Sequence, residues 1–215
     1  MLENVEPART LLIQFAKWPQ LGRVKTRLAN TIGESAALDA HIQLTQSVLA
    51  TLAQTGWPIQ FWWDRALQVS PPEAMPLIEA IEAAGGEQRH QWGNSLGERM
   101  LLALSANRPQ YGRVIIVGSD CPSIDVNYLH QADQLLDHHD VVLGPAEDGG
   151  YVLFGARRTR AGMFDGVQWG TSKALSQTEA ALQKSGLSFA RLPQRWDVDE
   201  AADWDRFLQQ ALPAY

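Results

Sequence analysis

A single cysteine, Cys121, stands in the 215 residues. It excludes an internal disulfide and points to a reducing compartment. No apolar run approaches the roughly 18 residues that a membrane span requires. The N-terminal stretch carries Glu3, Glu6 and Arg9 and no apolar core, which argues against a signal peptide. The cytoplasm is the expected location, with no membrane partner. An excess of basic charge is lacking too: the formal charge is −6, against the broad basic surface that phosphate-backbone recognition needs, so no nucleic-acid partner is expected. His-Glu-x-x-His, Cys-x-x-Cys and Gly-x-Ser-x-Gly are all absent, which removes support for zinc-protease, redox-dithiol and serine-hydrolase chemistry. So are the P-loop pattern and a Gly-x-Gly-x-x-Gly after the first apolar run, which counts against P-loop and dinucleotide folds.

What is present is an uneven distribution of charge. Lys17, Arg23, Lys25 and Arg27 follow one another with no acid between them, whereas Asp197, Asp199, Glu200, Asp203 and Asp205 crowd the far end. A cationic loop and an anionic segment in one acidic chain suit a small polyanionic ligand and a metal. Two solvated charge runs are the competing reading.

Short apolar runs alternate with helical periodicity. Leu11–Ala16, Pro58–Trp63, Val114–Val117, Val141–Leu143, Tyr151–Gly155 and Leu187–Leu192 read as strands. Helices are expected at 34–55, 72–84, 95–106, 127–137, 172–184 and 200–212, with Ser95-Leu-Gly-Glu98 as a capping box. Val114-Ile-Ile-Val117 is the strongest strand, a β-branched run expected where both faces are covered. Such alternation implies parallel strands with right-handed crossovers and a three-layer α/β/α sandwich. Residues 1–215 are read as one domain, with 1–9 flexible. In such sheets ligands bind beyond the carboxyl ends of the strands, at a topological switch point.

Several polar elements fall at those strand ends. Gly22 lets the basic loop turn, and its Arg and Lys side chains can bond phosphate oxygens, or else merely solvate the loop. Asp120 follows the best strand, where a carboxylate can hold a hard ion such as Mg²⁺, unless it or Ser119 caps the next helix. Cys121 has no nearby histidine and reads as a small buried residue. Glu147-Asp148-Gly149-Gly150 is either a turn or a close approach of backbone amides to a ligand. Asp197 and Asp199 are metal ligands if Asp120 lies near in space, and otherwise N-caps of the last helix. Tyr151 and Trp169 line an acceptor pocket or pack in the core. His41, His90, His130, His138 and His139 read as surface residues.

In order, the chain carries Phe15-x-Lys17-x-Pro19-x-x-Gly22-x-x-Lys25-Thr-Arg27-Leu28, Gln91-x-Gly93-x-x-Leu96-Gly97-x-Arg99-Met100 and Gly118-Ser-Asp120-Cys-Pro122. Gly144-Pro145-x-x-Asp148-Gly-Gly-Tyr151, Trp169-Gly-Thr171 and Asp197-Val-Asp199 follow. This set resembles the bacterial glycosyltransferase-A-like (GT-A-like) family of radical-SAM/selenodomain-associated transferases, DUF2064-type proteins, over nearly the whole chain. That family is similar in turn to phospholactate and molybdenum-cofactor guanylyltransferases. The resemblance implies a nucleotide-diphospho-sugar transferase fold with a mostly parallel, mixed sheet. It implies a metal-dependent nucleotidyltransferase or glycosyltransferase that takes a nucleoside triphosphate or nucleotide sugar and a small-molecule acceptor, with a non-catalytic nucleotide-binding module as the alternative.

On that resemblance Lys17, Gly22, Arg23, Lys25 and Arg27 bind the nucleotide. Asp120 holds Mg²⁺ or Mn²⁺ with Asp197 or Asp199 completing the site, and Asp148, Gly149 and Gly150 face the second substrate, with Tyr151 and Trp169 as candidate substrate-binding residues beside them. Lys25, Asp120 and Asp148 take the catalytic roles. The pattern departs from nucleotide-sugar glycosyltransferases at Gly118, where those enzymes usually carry the first acid of Asp-x-Asp.

Overall fold

The computed structural model describes residues 8–211, and the expectation of flexibility at 1–9 falls mostly on residues outside that range. Its frame is β1 (Ala8–Ala16), α1 (Thr26–Ile32), α2 (Glu34–Ala53), β2 (Ile59–Trp63), α3 (Met75–Ala83), β3 (Glu87–His90), α4 (Leu96–Asn107) and β4 (Tyr111–Val117). Then come α5 (Val126–Leu135), β5 (Val141–Pro145), β6 (Tyr151–Ala156), α6 (Ala174–Lys184), β7 (Phe189–Arg191) and α7 (Ala201–Ala211). Leu212, expected to end the last helix, is outside the described residues.

The strands form one sheet in the order β3-β2-β1-β4-β6-β5-β7. All neighbours are parallel except β4–β6 and β5–β6, which are antiparallel. Alternation alone had implied parallel strands throughout. The exception arises because β5 and β6 are joined by a turn at Glu147–Gly150, too short for the crossover that parallel pairing needs. The chain builds β1, β2 and β3 outward, then returns to place β4 on the other side of β1. The switch point is therefore the gap between the carboxyl ends of β1 and β4.

The central strands bury alternate residues on two faces. Leu12, Phe61, Ile115 and Val117 pack with Leu49 and Leu52 of α2, Leu129 of α5 and Leu136 just after it. Leu11, Ile13, Trp62, Val114 and Ile116 face Met100, Ala103, Leu104 and Leu182 of α4 and α6. The three-layer α/β/α expectation holds, and these two cores fix where the strand ends open. Two elements were not expected. β3 is an edge strand of exposed residues, Glu-Gln-Arg-His, and lacks an apolar signature. α1 is short, and no side chain caps its start.

Candidate active site

The loop after β1 is pinned before it becomes basic. Trp18 is buried, stacks on Trp63 at 3.8 Å between ring centroids, and donates its Nε1–H to the Arg65 carbonyl at 2.8 Å. Its backbone N–H donates to Asp64 Oδ1 at 2.9 Å. His41 on α2 holds the loop from below, with Nε2 3.0 Å from the Lys17 carbonyl oxygen. The reading of His41 as a surface residue is corrected: it is 5% exposed. Burial above all pushes its pKa down to about 4, against the Lys17 hydrogen bond. The imidazole is therefore neutral at neutral pH and supports the loop as a hydrogen-bonding strut.

Lys25, at the N-cap of α1, has φ +46 and ψ +44, the left-handed region, and is the one non-glycine residue with positive φ among those described. That conformation turns its side chain inward. While Arg27 is 67% exposed, the Lys25 side chain is 7% exposed. Its Nζ donates to Asp120 Oδ2 at 2.9 Å and to the Val198 carbonyl, and lies 3.6 Å from Asp199 Oδ1. Burial works against its charge, but Asp120, Asp199 and Asp197 together raise its pKa above the ordinary lysine value. The reverse balance acts on Asp120, where desolvation is overcome by Lys25 and the pKa falls.

Asp120 follows β4 by way of Gly118 and Ser119. Ser119 Oγ donates to the Phe15 carbonyl at 2.8 Å and accepts from Gln14 Nε2 at 3.2 Å, so the ends of β1 and β4 are tied at the switch point. The helix-cap alternative for Asp120 fails: α5 is capped by Asp125, which accepts from the Tyr128 N–H at 2.7 Å. A side chain at Gly118 would crowd the site, since a Cβ there would lie 3.0 Å from Asp120 Oδ1. The cap reading of Asp197 and Asp199 fares no better. The N–H groups of Asp199 and Glu200 are satisfied by Asp203 Oδ2, and the Asp199 carboxylate instead receives Arg27 at 3.4 Å. The Val198 N–H donates to the Asp120 carbonyl at 2.9 Å, which seats this segment against β4.

Asp120, Asp197 and Asp199 thus bring one carboxylate oxygen each within 4.8 Å of one another. Oxygen ligands at that spacing fit a hard ion with bonds of about 2.1 Å, such as Mg²⁺ or Mn²⁺. Charge supports the fit: burial first, then the carboxylates of Asp120, Asp148 and Asp199, push the Asp197 pKa up to about 7. The cluster is short of positive charge, even with Lys25 in place.

Two cavities meet at this triad. The larger, about 360 Å³, is walled by Lys17, Lys25, Arg27, Arg99, Asp120 and Asp199 among others. The smaller, about 130 Å³, is lined by Asp148, Gly150, Tyr151, Trp169 and Asp197, and Leu96 borders both. Trp169 and Tyr151 meet edge to face at 6.1 Å, and both pack on the core beneath while lining this cavity. Asp148 Oδ1 accepts from the Gly150 N–H at 2.8 Å, which shapes the turn. Gly149 (φ +88) lines neither cavity, but a Cβ there would clash with the Ser172 carbonyl oxygen. Gly22 and Arg23 also lie outside both linings, Arg23 on the exposed outer side of the loop. Cys121 is buried, and burial raises its thiol to about 12, which leaves it unsuited to nucleophilic work.

Sequence reasoning gave no role to Asp64, His41, Gln91 and Arg99, all of which line the larger cavity. Gln91 and Arg99 stood inside a quoted motif. His41 had a signal too, since it falls on the same helical stripe as the buried Ala37, Leu44, Val48 and Leu52.

A mixed, mostly parallel sheet between helices, in the order β3-β2-β1-β4-β6-β5-β7, is a fold of the nucleotide-diphospho-sugar transferase, GT-A type. Residues 47–171 match the family described as uncharacterized protein conserved in bacteria (DUF2064), and the chain belongs to that family. Among solved structures it is similar to a candidate nucleotide-diphospho-sugar transferase from Desulfovibrio desulfuricans G20. That match has 29% identity and a TM-score of 0.82, over 95% of this chain and 88% of that one. It shares its fold with 4-diphosphocytidyl-2C-methyl-D-erythritol synthase from Anaerococcus prevotii, with 11% identity, a TM-score of 0.60, and coverage of 95% and 100%. The manganese complex of Rv0371c from Mycobacterium tuberculosis H37Rv also shares it, with 14% identity, a TM-score of 0.52, and coverage of 94% and 99%. No curated protein matches the chain significantly. No helix among the described residues is long and apolar enough to cross a membrane.

Proposed function

We propose that the chain is a cytoplasmic, metal-dependent transferase that moves a nucleotidyl group from a nucleoside triphosphate to a small acceptor. The observation that carries this reading is the position of the acid triad. Asp120 and Asp199 face the larger, basic-walled cavity, while Asp197 faces the smaller one. A group held there touches both substrates. The relatives point the same way, since they include a nucleotide-diphospho-sugar transferase candidate and a cytidylyl-type synthase.

Lys17, Lys25, Arg27 and Arg99 neutralise the phosphates, and Arg27 can do so bidentately. Asp120, Asp197 and Asp199 would hold Mg²⁺ or Mn²⁺, which would supply Lewis-acid polarisation of the phosphate oxygens. The acceptor lies between Tyr151 and Trp169 with its nucleophilic oxygen toward the triad, and Asp148 stands at the same pocket to take its proton. The new bond forms at the α-phosphorus and pyrophosphate leaves. No covalent enzyme intermediate is required, so catalysis is positioning and electrostatics. A nucleotide sugar would use the same cavity, but its diphosphate leaves more of these cations without a partner.

The test is a thermal-shift panel of nucleoside triphosphates and nucleotide sugars, each with and without Mg²⁺ or Mn²⁺. A ligand at 100 times its Kd adds about 2.7 kcal/mol, or about 5–10 °C for a domain of this size. A metal-dependent rise with one triphosphate supports the reading and names the donor. A rise with nucleotide sugars alone moves the assignment to glycosyl transfer. A metal-independent rise with no turnover makes the chain a nucleotide-binding module.

A further inference from the structure

Lys25 was expected to hold phosphate, yet its side chain is committed elsewhere. Its Nζ donates to Asp120 Oδ2 at 2.9 Å and lies 3.6 Å from Asp199 Oδ1, within a triad whose ligand oxygens span no more than 4.8 Å. An ion bound to those oxygens would stand within a few ångströms of the ammonium. At such separations two cations repel strongly in the reduced dielectric of a cleft. The lysine is not there by default of room. A left-handed backbone (φ +46) aims it inward, the Val198 carbonyl takes another of its protons, and its side chain is 7% exposed. Arg27, two residues on, remains 67% exposed at the cavity wall.

We propose that the Lys25 ammonium is the resident counter-cation of the Asp120–Asp199 pair, and that it yields this place only when a divalent ion arrives together with a polyphosphate. The phosphates are what make the exchange favourable. They bring negative charge for the released ammonium to bond, so Lys25 passes from carboxylate to phosphate while the ion takes the carboxylates. Metal alone offers Lys25 no new partner and must bind against its charge. The site is therefore built to load metal and nucleotide as one complex and to hold metal poorly by itself. This inference rests on the metal reading of the triad.

The experiment is Mn²⁺ binding by calorimetry and by electron paramagnetic resonance, with Mn²⁺ alone and with Mn²⁺–tripolyphosphate as probes. It compares the wild type, Lys25→Gln, which keeps a donor for Asp120 and the Val198 carbonyl, and Lys25→Arg, which keeps the charge. Lys25→Met serves if the glutamine variant does not fold. Lys25→Gln is expected to bind Mn²⁺ alone at least tenfold more tightly than the wild type, and Mn²⁺–tripolyphosphate less tightly. Lys25→Arg should stay near the wild type for Mn²⁺ alone. Equal or weaker binding of Mn²⁺ by the glutamine variant overturns the exchange while leaving the metal site standing. An absence of Mn²⁺ binding in every folded protein, with or without tripolyphosphate, overturns the metal reading and this inference with it.

Discussion

At Lys25 a side chain's charge and its backbone geometry pull against each other. A non-glycine residue in the left-handed region is destabilised by roughly 1–2 kcal/mol relative to glycine, and such strain persists only where the surroundings hold it. Here the ion pair with Asp120 and the bond to the Val198 carbonyl do the holding. Removing the ammonium leaves both short variants without the pair, but only one of them strained. Lys25→Gly is therefore expected to be more stable than Lys25→Ala by about 1 kcal/mol in urea denaturation, in the direction that the N-cap position also favours. An alanine variant as stable as the glycine variant would show that the left-handed conformation is not kept once the lysine is gone. Gly118 shows the opposite economy of space. The position that usually carries the first acid of Asp-x-Asp has no side chain, and a Cβ there would press on Asp120 at 3.0 Å. On the proposed metal reading, Asp197 and Asp199, from a distant segment, stand beside Asp120 in place of that first acid.

At the scale of an element, α4 shows how a helix can be fitted to the site against its own propensity. Ser95 caps it, accepting from the Glu98 N–H at 3.1 Å, while Glu98 reaches back to the Asn94 N–H at 2.7 Å, one residue beyond the reciprocal bond of a capping box. Gly97 then stands in the first turn, where alanine would raise helix propensity by about 1 kcal/mol. A Cβ at that point would lie 2.8 Å from both Phe164 Cβ and Trp169 Cζ2. Overpacking of this kind costs about 1–3 kcal/mol, so Gly97→Ala is expected to destabilise in urea despite the propensity gain, and to displace Trp169 from the wall of the smaller cavity. A stabilised Gly97→Ala protein would mean that the Trp169 wall is soft. The cap of α4 was legible in the sequence because its signal is local. β4 was legible because burial on both faces demands an unbroken β-branched run. β3 was not, since an exposed edge strand has no apolar face to display. α1 was missed because its start depends on a backbone conformation at Lys25 that no residue type announces.

Across the whole molecule, the site is assembled from segments that only the fold brings together. That strand-end acids and bases share one edge followed from the order of elements; that Lys25 spans Asp120 and Asp199 did not. Ionisation at this edge also enters global stability. His41 is held neutral, its pKa down at about 4 from an ordinary 6.5, so the unfolded chain binds its proton more readily between those values. Protonation then favours unfolding. The His41 contribution is fully present above pH 6.5, declines as pH falls, and is lost below about pH 4. At about 1.4 kcal/mol per pH unit the full loss is about 3 kcal/mol. Asp197 acts the other way. Its raised pKa of about 7 means that the folded protein keeps a proton the unfolded chain releases, so its contribution weakens as pH rises from 3.8 toward 7. The two slopes oppose one another, and wild-type stability alone reveals neither. His41→Gln retains a donor for the Lys17 carbonyl but cannot titrate. In metal-free buffer the stability of the wild type relative to His41→Gln should therefore grow by up to about 3 kcal/mol between pH 4 and 6.5, and stay level above that. Urea denaturation of both proteins at half-unit pH steps measures it. A difference that does not change with pH would mean that the imidazole is hydrated in the folded protein, and that the basic loop is not held from below by a buried neutral histidine.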